Sequence, residues 1–207
     1  MEFRLLYEGA IESGGNRPKV AAKHDIRRIF HPQLRRLWNV NPNLRQFAAH
    51  NGSQTAESWD ADAVKEHGII KLGLEAIGRK WSRAGFNFVP LVTAEMNPRC
   101  SLDILLLRPE DNRFVLNQGD LDGQVKTLVD ALKMQQHEQD IGVGPQEDEN
   151  PFFCLFEDDR LISEVRVVAD QLLLLPHQRE PKPTDAFAVI HVKLSHKHPG
   201  TFDQWLA

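Results

Sequence analysis

The chain of 207 residues holds only two cysteines and one tyrosine. Cys100 and Cys154 are too few for a disulfide framework or a four-cysteine zinc site, and both stand in apolar sequence, so they read as buried thiols. Long apolar runs are missing as well. Residues 104–107 and 172–175 are far shorter than the roughly 20 residues that a membrane-spanning helix needs. Met1-Glu2-Phe3-Arg4 opens no signal-peptide pattern, so the sequence predicts a cytoplasmic protein without membrane association. It contains no Gly-rich phosphate loop, no G-x-S-x-G elbow and no zinc-spaced Cys/His set. His24-Asp25 lacks the companion histidines of a two-metal phosphohydrolase and reads as a helix start, while His196-Lys197-His198 reads as a solvated tail.

What is present is ordinary for a globular chain. A hydrophobic content of 41% and a charged content of 26% exclude collagenous, coiled-coil and wholly disordered readings. The length favours one enlarged domain over residues 1–207. The net charge of -4 is unevenly spread. Residues 1–50 carry 9 Lys+Arg against 4 Asp+Glu, and residues 108–160 carry 5 against 13. The split implies either a basic surface for an anionic partner with a carboxylate cluster for a cation, or two halves that attract each other.

Residues 3–7 predict a first strand, followed by a loop with Ser13-Gly14-Gly15-Asn16. Ile26, Ile29, Phe30, Leu34 and Leu37 fall near helical spacing over residues 23–37, with Pro32 expected to kink or divide the helix. Residues 39–55 read as a connector rich in Asn, Pro and Gly. Ser58 is a plausible N-cap for a helix over residues 59–81, which contains two costly glycines, Gly73 and Gly78. Residues 39–81 together read as a helical insertion. Residues 86–93 and 100–107 predict strands that could neighbour each other, and residues 121–133 predict a helix with a clean apolar face. Residues 134–150, with five acidic side chains and no Lys or Arg, read as a mobile acidic loop insertion. Strands resume at 152–156, 164–168 and 187–194. The order predicts an α/β (α+β) domain around a mixed sheet.

The chemistry concentrates in Gly119-Asp120-Leu121-Asp122-Gly123-Gln124-Val125-Lys126 and in Glu157-Asp158-Asp159. Asp120 and Asp122 stand where a helix N-terminus favours carboxylates, and Asp122, Lys126 and Asp130 at i, i+4 spacing could form a surface ion-pair ladder. A functional reading stands beside this structural one. If Asp159 folds back beside Asp120 and Asp122, the three like charges call for a divalent cation, and magnesium suits an oxygen-only ligand set. Such an ion could polarise a phosphate and generate hydroxide, with Lys126 steadying phosphate charge.

Asp120-Leu121-Asp122, Lys126, Asp130-Ala131-Leu132, Asp158-Asp159 and Arg166 together resemble the RusA-type Holliday-junction resolvases. The strand preceding the motif and its end at Arg108-Pro109 also resemble that family, over roughly residues 100–132 and 152–194. The resemblance implies a RusA-like fold and a homodimeric endonuclease that cuts branched DNA with Mg2+, or with Mn2+ in its place. It assigns Asp120, Asp122 and Asp159 as metal ligands and Lys126 as the active-site lysine. Arg17, Lys19, Lys23, Arg27 and Arg28 are the candidate phosphate contacts. The family usually continues its motif with Asn where this chain has Gly123, and the acidic insertion separates the two halves of the site. The alternatives are a catalytically inactive RusA-like module that binds nucleic acid or protein, or a nuclease for another DNA or RNA structure.

Overall fold

The computed structural model describes residues 1–11, 19–55, 66–96, 98–109, 121–136, 144–173 and 185–196. β1 (Glu2–Ala10) alternates strictly, burying Leu5 and Tyr7 and exposing Arg4, Leu6 and Glu8. α1 (Lys19–Val40) passes through Pro32 without dividing. Pro32 is exposed, while Phe30, Leu34 and Trp38 line the buried side and hold the helix by packing.

The predicted connector over residues 39–55 is instead largely a helix, α2 (Pro42–Thr55). Its breaker residues form its start: the Asn41 side chain accepts the N–H groups of Asn43 and Leu44, each at 3.0 Å, and Pro42 occupies the first turn, where no N–H is needed. α3 (Glu66–Lys80) follows; Ser58, the predicted N-cap, lies outside the described residues. α2 and α3 cross at their glycines. A Cβ on Gly73 would stand 1.7 Å from the Ala48 carbonyl oxygen, and one on Gly52 would stand 2.1 Å from that of Ile69.

β2 (Ser82–Arg83) and β3 (Phe86–Val92) are joined by Ala84 and Gly85, both at positive φ, as a tight hairpin demands. β4 (Pro98–Arg108) does not neighbour β3, contrary to the sequence expectation. β3 pairs in parallel with β5 (Phe152–Phe156) in a three-stranded sheet ordered β2-β3-β5. Every residue of β5 and nearly every residue of β3 is buried, whereas β4 alternates, so the two strands suit different sheets. β4 belongs to a four-stranded sheet ordered β1-β7-β4-β6, with β6 (Ile162–Gln171) parallel to it and β7 (Asp185–His196) antiparallel between it and β1.

The inner face of this sheet, including Leu102, Ile104, Leu106, Ala188, Ile190 and Val192, shares one core with α1, α3 and α4 (Leu121–Leu132). α1 also guards the free edge of β1: the Gln33 amide accepts the Leu6 N–H at 2.9 Å and donates to the Leu6 carbonyl at 2.7 Å. The architecture is α+β, with helices flanking mixed sheets. No described helix is long and apolar enough to cross a membrane.

Candidate functional site

α4 places Asp122, Lys126 and Asp130 on one stripe, because four residues are close to one helical turn. Its opposite side is fixed by buried Leu128, Ala131 and Leu132. Buried Gln124 accepts from Arg108 at 3.1 Å and donates to the Ile11 carbonyl at 3.4 Å, which holds the first turns of α4 near the ends of β1 and β4. At the other end of α4, Lys133 bridges to Phe156 and the Met134 N–H donates to the Phe156 carbonyl at 2.8 Å. These bonds lay Glu157-Asp158-Asp159 beside the last turn of the motif helix.

There the Lys133 ammonium donates to Asp159 at 3.0 Å and lies 3.6 Å from Asp130, which also pairs with Lys23 of α1. Lys23, Asp130, Lys133 and Asp159 therefore alternate in sign along a continuous ladder. Partial burial works against the Lys133 charge, but Asp159 and then Asp130 outweigh it, and the lysine pKa is raised. Asp158 belongs to another partner. The side chain of Arg160, then its backbone N–H, bonds the Asp158 carboxylate and holds the pKa at about 2. Glu157 accepts the Ala94 N–H at 3.0 Å, tying this segment to the end of β3.

The structure thus brings together part of the predicted set. Asp159 meets Asp130 and Lys133, not Asp122. Asp122 precedes Asp130 by two helical turns, about 12 Å of rise, and exposed Lys126 lies between them. Asp120 lies outside the described residues. Carboxylate oxygens suit a hard divalent cation in chemistry, but the placement of Asp122 and Asp159 does not fit one shared ion while Lys133 satisfies Asp159. Among the described residues no three His, Cys, Asp or Glu side chains are grouped as metal ligands. Lys133 was not singled out by the sequence; its i+3 spacing from Asp130 was the available signal.

The predicted phosphate contacts are also redistributed. Arg27 is 4% exposed, because it shares the inward stripe of α1 with His31, Leu34 and Trp38. Lys23 is engaged by Asp130, and Arg28 bonds buried Glu149 at 2.6 Å. Arg17 and the Lys19 side chain lie outside the described residues.

The acidic insertion is in part a docked segment. Met134, Gln135 and Glu149 are buried, and residues 137–143 lie outside the described residues. Burial opposes the Glu149 charge, but the Arg28 hydrogen bond and the Gln146 N–H prevail and its pKa is lowered. His31 joins in, since its Nδ1 accepts the Phe153 N–H at 2.9 Å and its Nε2 faces the Asp148 carbonyl at 3.0 Å. That pattern assigns the proton to Nε2. His24, two turns earlier on the same side of α1, packs against Phe86 and Phe152 with neither ring nitrogen hydrogen-bonded, and desolvation, then Arg28, lowers its pKa. It sits inside α1 and not at a helix start.

Compared with protein-family models, with curated proteins and with solved structures, the chain matches none of them.

Proposed function

We propose that the protein is a RusA-like, magnesium-dependent endonuclease of branched DNA, cytoplasmic and homodimeric. The observation that carries this reading is the placement of Asp159 against the helix bearing Asp122, Lys126 and Asp130, two segments 26 or more residues apart that the family motif pairs in one site. The resemblance assigns Asp120, Asp122 and Asp159 to the metal. Asp122 and Asp159 would hold such an ion, and Lys133 is the group that satisfies Asp159 in this structure. A second reading, a non-cleaving module that binds nucleic acid or protein, is favoured by the same ladder, which already satisfies Asp130 and Asp159 without an ion, and by the use of Lys23 and Arg28 inside the fold.

Labelled four-way junction, duplex and single-stranded DNA, incubated with and without Mg2+ or Mn2+, separate the two. The nuclease reading expects metal-dependent cleavage of the junction. Asp122→Asn and Asp159→Asn should each abolish cleavage while binding is kept or tightened, because a lost negative charge lowers repulsion of phosphate. Junction binding without cleavage under every metal condition selects the second reading. Cleavage that survives both substitutions moves the site elsewhere, and absence of both binding and cleavage overturns the nucleic-acid assignment.

A further inference from the structure

The four-stranded sheet ends differently on its two sides. At β1 the Gln33 amide takes the Leu6 N–H and carbonyl. At β6 no described strand pairs with the edge turned away from β4. Residues 164–170 also lack the usual devices that blunt an edge: the run holds neither Pro nor Lys, and the one register shift precedes it, at Ser163, whose hydroxyl bonds the Cys100 carbonyl at 2.9 Å. Both faces of the strand are open as well. Val165, Val167 and Ala169 stand in register with Leu102, Ile104 and Leu106 on the inner face. Those β4 residues are at most 2% exposed, yet Val165 is 45% exposed, so among the described residues the helices cover β4 and stop short of β6. On the outer face Glu164, Arg166, Val168 and Asp170 alternate with them, all exposed.

We infer that β6 is a strand-addition site, which takes an extended segment of another protein as a fifth strand, antiparallel to β6 over residues 164–170. In this mode main-chain hydrogen bonds give affinity, and alternate side chains choose the partner. Opposite Val165, Val167 and Ala169 the partner needs apolar residues, which extend the inner face past the helices. Opposite Asp170, Val168, Arg166 and Glu164 it needs a base, an apolar residue, an acid and a base, in its own chain direction. The matching segment therefore carries a base at i, an acid at i+4 and a second base at i+6, with apolar residues between.

The charges select this occupant over a second copy. Each β6 brings two acids and one base to the outer face, so β6 against β6 cannot neutralise both acids, and the symmetric register about Val167 sets Glu164 against Asp170. Neither carboxylate is saturated within the chain: Glu164 accepts the Ser101 hydroxyl at 3.4 Å and Asp170 the Gln171 N–H at 2.7 Å, which leaves lone pairs for a cation. Arg166 stands in register with Asp103, which bonds Lys193 at 3.0 Å. The site is independent of nucleic-acid cleavage.

The probe is the fluorescein-labelled heptapeptide Lys-Phe-Ile-Val-Glu-Val-Lys with blocked ends, titrated with the full chain to about 500 µM and followed by fluorescence anisotropy. A peptide of the same composition, Lys-Phe-Glu-Val-Ile-Val-Lys, sets its acid against Val168 and should bind about fivefold more weakly at equal net charge. Asp170→Lys, at an exposed position, should weaken the first peptide by about fivefold, and a peptide with Glu in first place should recover the loss. Methylation of alternate backbone nitrogens tests the pairing itself. Alternate N–H groups of an added strand face β6, so one set of methyl groups should abolish binding and the other should leave it intact. Absence of saturable binding, equal affinity for the two peptide orders, or equal effects of the two methylation sets each overturns the proposal. A dimer of the wild-type chain that the probe dissociates in sedimentation equilibrium also overturns it, because the edge would then belong to a second copy. Far-ultraviolet circular dichroism confirms that Asp170→Lys is folded.

Discussion

Replacing Gly73 by Ala sets two effects of opposite sign against each other. In an isolated helix the change is favourable by about 1 kcal/mol, because alanine loses less backbone freedom on folding. In this protein the new methyl would meet the Ala48 carbonyl oxygen at 1.7 Å, where a normal contact needs about 3.2 Å or more. The obstacle is backbone and cannot rotate away. α2 and α3 must therefore part by roughly 1.5 Å at their crossing, which also loosens the second close approach, between Gly52 and Ile69. Overpacking of this kind costs about 3 kcal/mol at the upper end of its range, leaving a net loss of about 2 kcal/mol after the helical gain. For a chain of this size, that loss lowers Tm by about 4–8 °C. Urea and thermal unfolding followed by circular dichroism measure it. Gly78→Ala is the internal control: its methyl meets Asn87 and Pro151 side-chain carbons at 3.2 and 3.3 Å, so it should stay within about 1 kcal/mol of wild type. A Gly73→Ala protein as stable as wild type, or more stable, would refute the close crossing of α2 and α3.

Acid should weaken the fold before its carboxylates titrate. Burial lowers the His24 and His31 pKa values below 6.5, so their neutral forms contribute fully above that pH and their contribution is lost as pH falls toward the folded values; a urea midpoint unchanged between pH 7.5 and 5.5 would contradict this. His24→Leu should raise stability by about 1 kcal/mol and flatten that dependence, because it removes two buried nitrogens without partners; a loss in the same unfolding assay would reveal a partner. Glu149→Gln should cost about 1–2 kcal/mol at pH 7, and the difference should shrink as pH falls below 4.5, since the lowered Glu149 pKa gives stability that is fully present above 4.5 and is lost as pH falls through the folded value. Cys100, whose thiol burial pushes up to about 12, and Cys154, which burial also raises, should resist a thiol reagent at pH 8 until denaturant is added; labelling of the native protein would place them at the surface.

Patterns confined to one element were legible in the sequence. The first strand and the apolar face of α4 were readable, and both lie close to their predicted positions. α2 was hidden because Asn41 and Pro42 act as a helix start where their composition suggests a loop, and the Gly73 that looked costly to α3 is what lets α2 approach it. The division into two sheets depends on pairings between distant segments, so strand propensity could not reveal it. The site obeyed the same limit. Residues 122 and 159 are separated by 37 positions, and no spacing rule says which end of α4 the second meets; the observed contact is set by the Lys133–Phe156 bridge. Arg27 shows the converse failure, a charge that composition places at the surface and helical phase turns inward.

The position of β7 in the strand order has a consequence for biosynthesis. β1 leaves the ribosome well before its partner, which spans Asp185–His196. At 5–20 residues per second, β1 waits about 10–35 s before that strand is made. The same strand fills the slot between β1 and β4, so the nascent sheet has a gap at its centre, and premature termination before residue 185 leaves the facing edges of both strands unmatched. Closing the gap late requires a loop of more than 170 residues, which makes the last step of assembly slow and exposes it to mispairing with other chains. A holdase that shields unpaired β-edges during this interval should raise the yield of folded protein without altering the stability of the molecules that succeed.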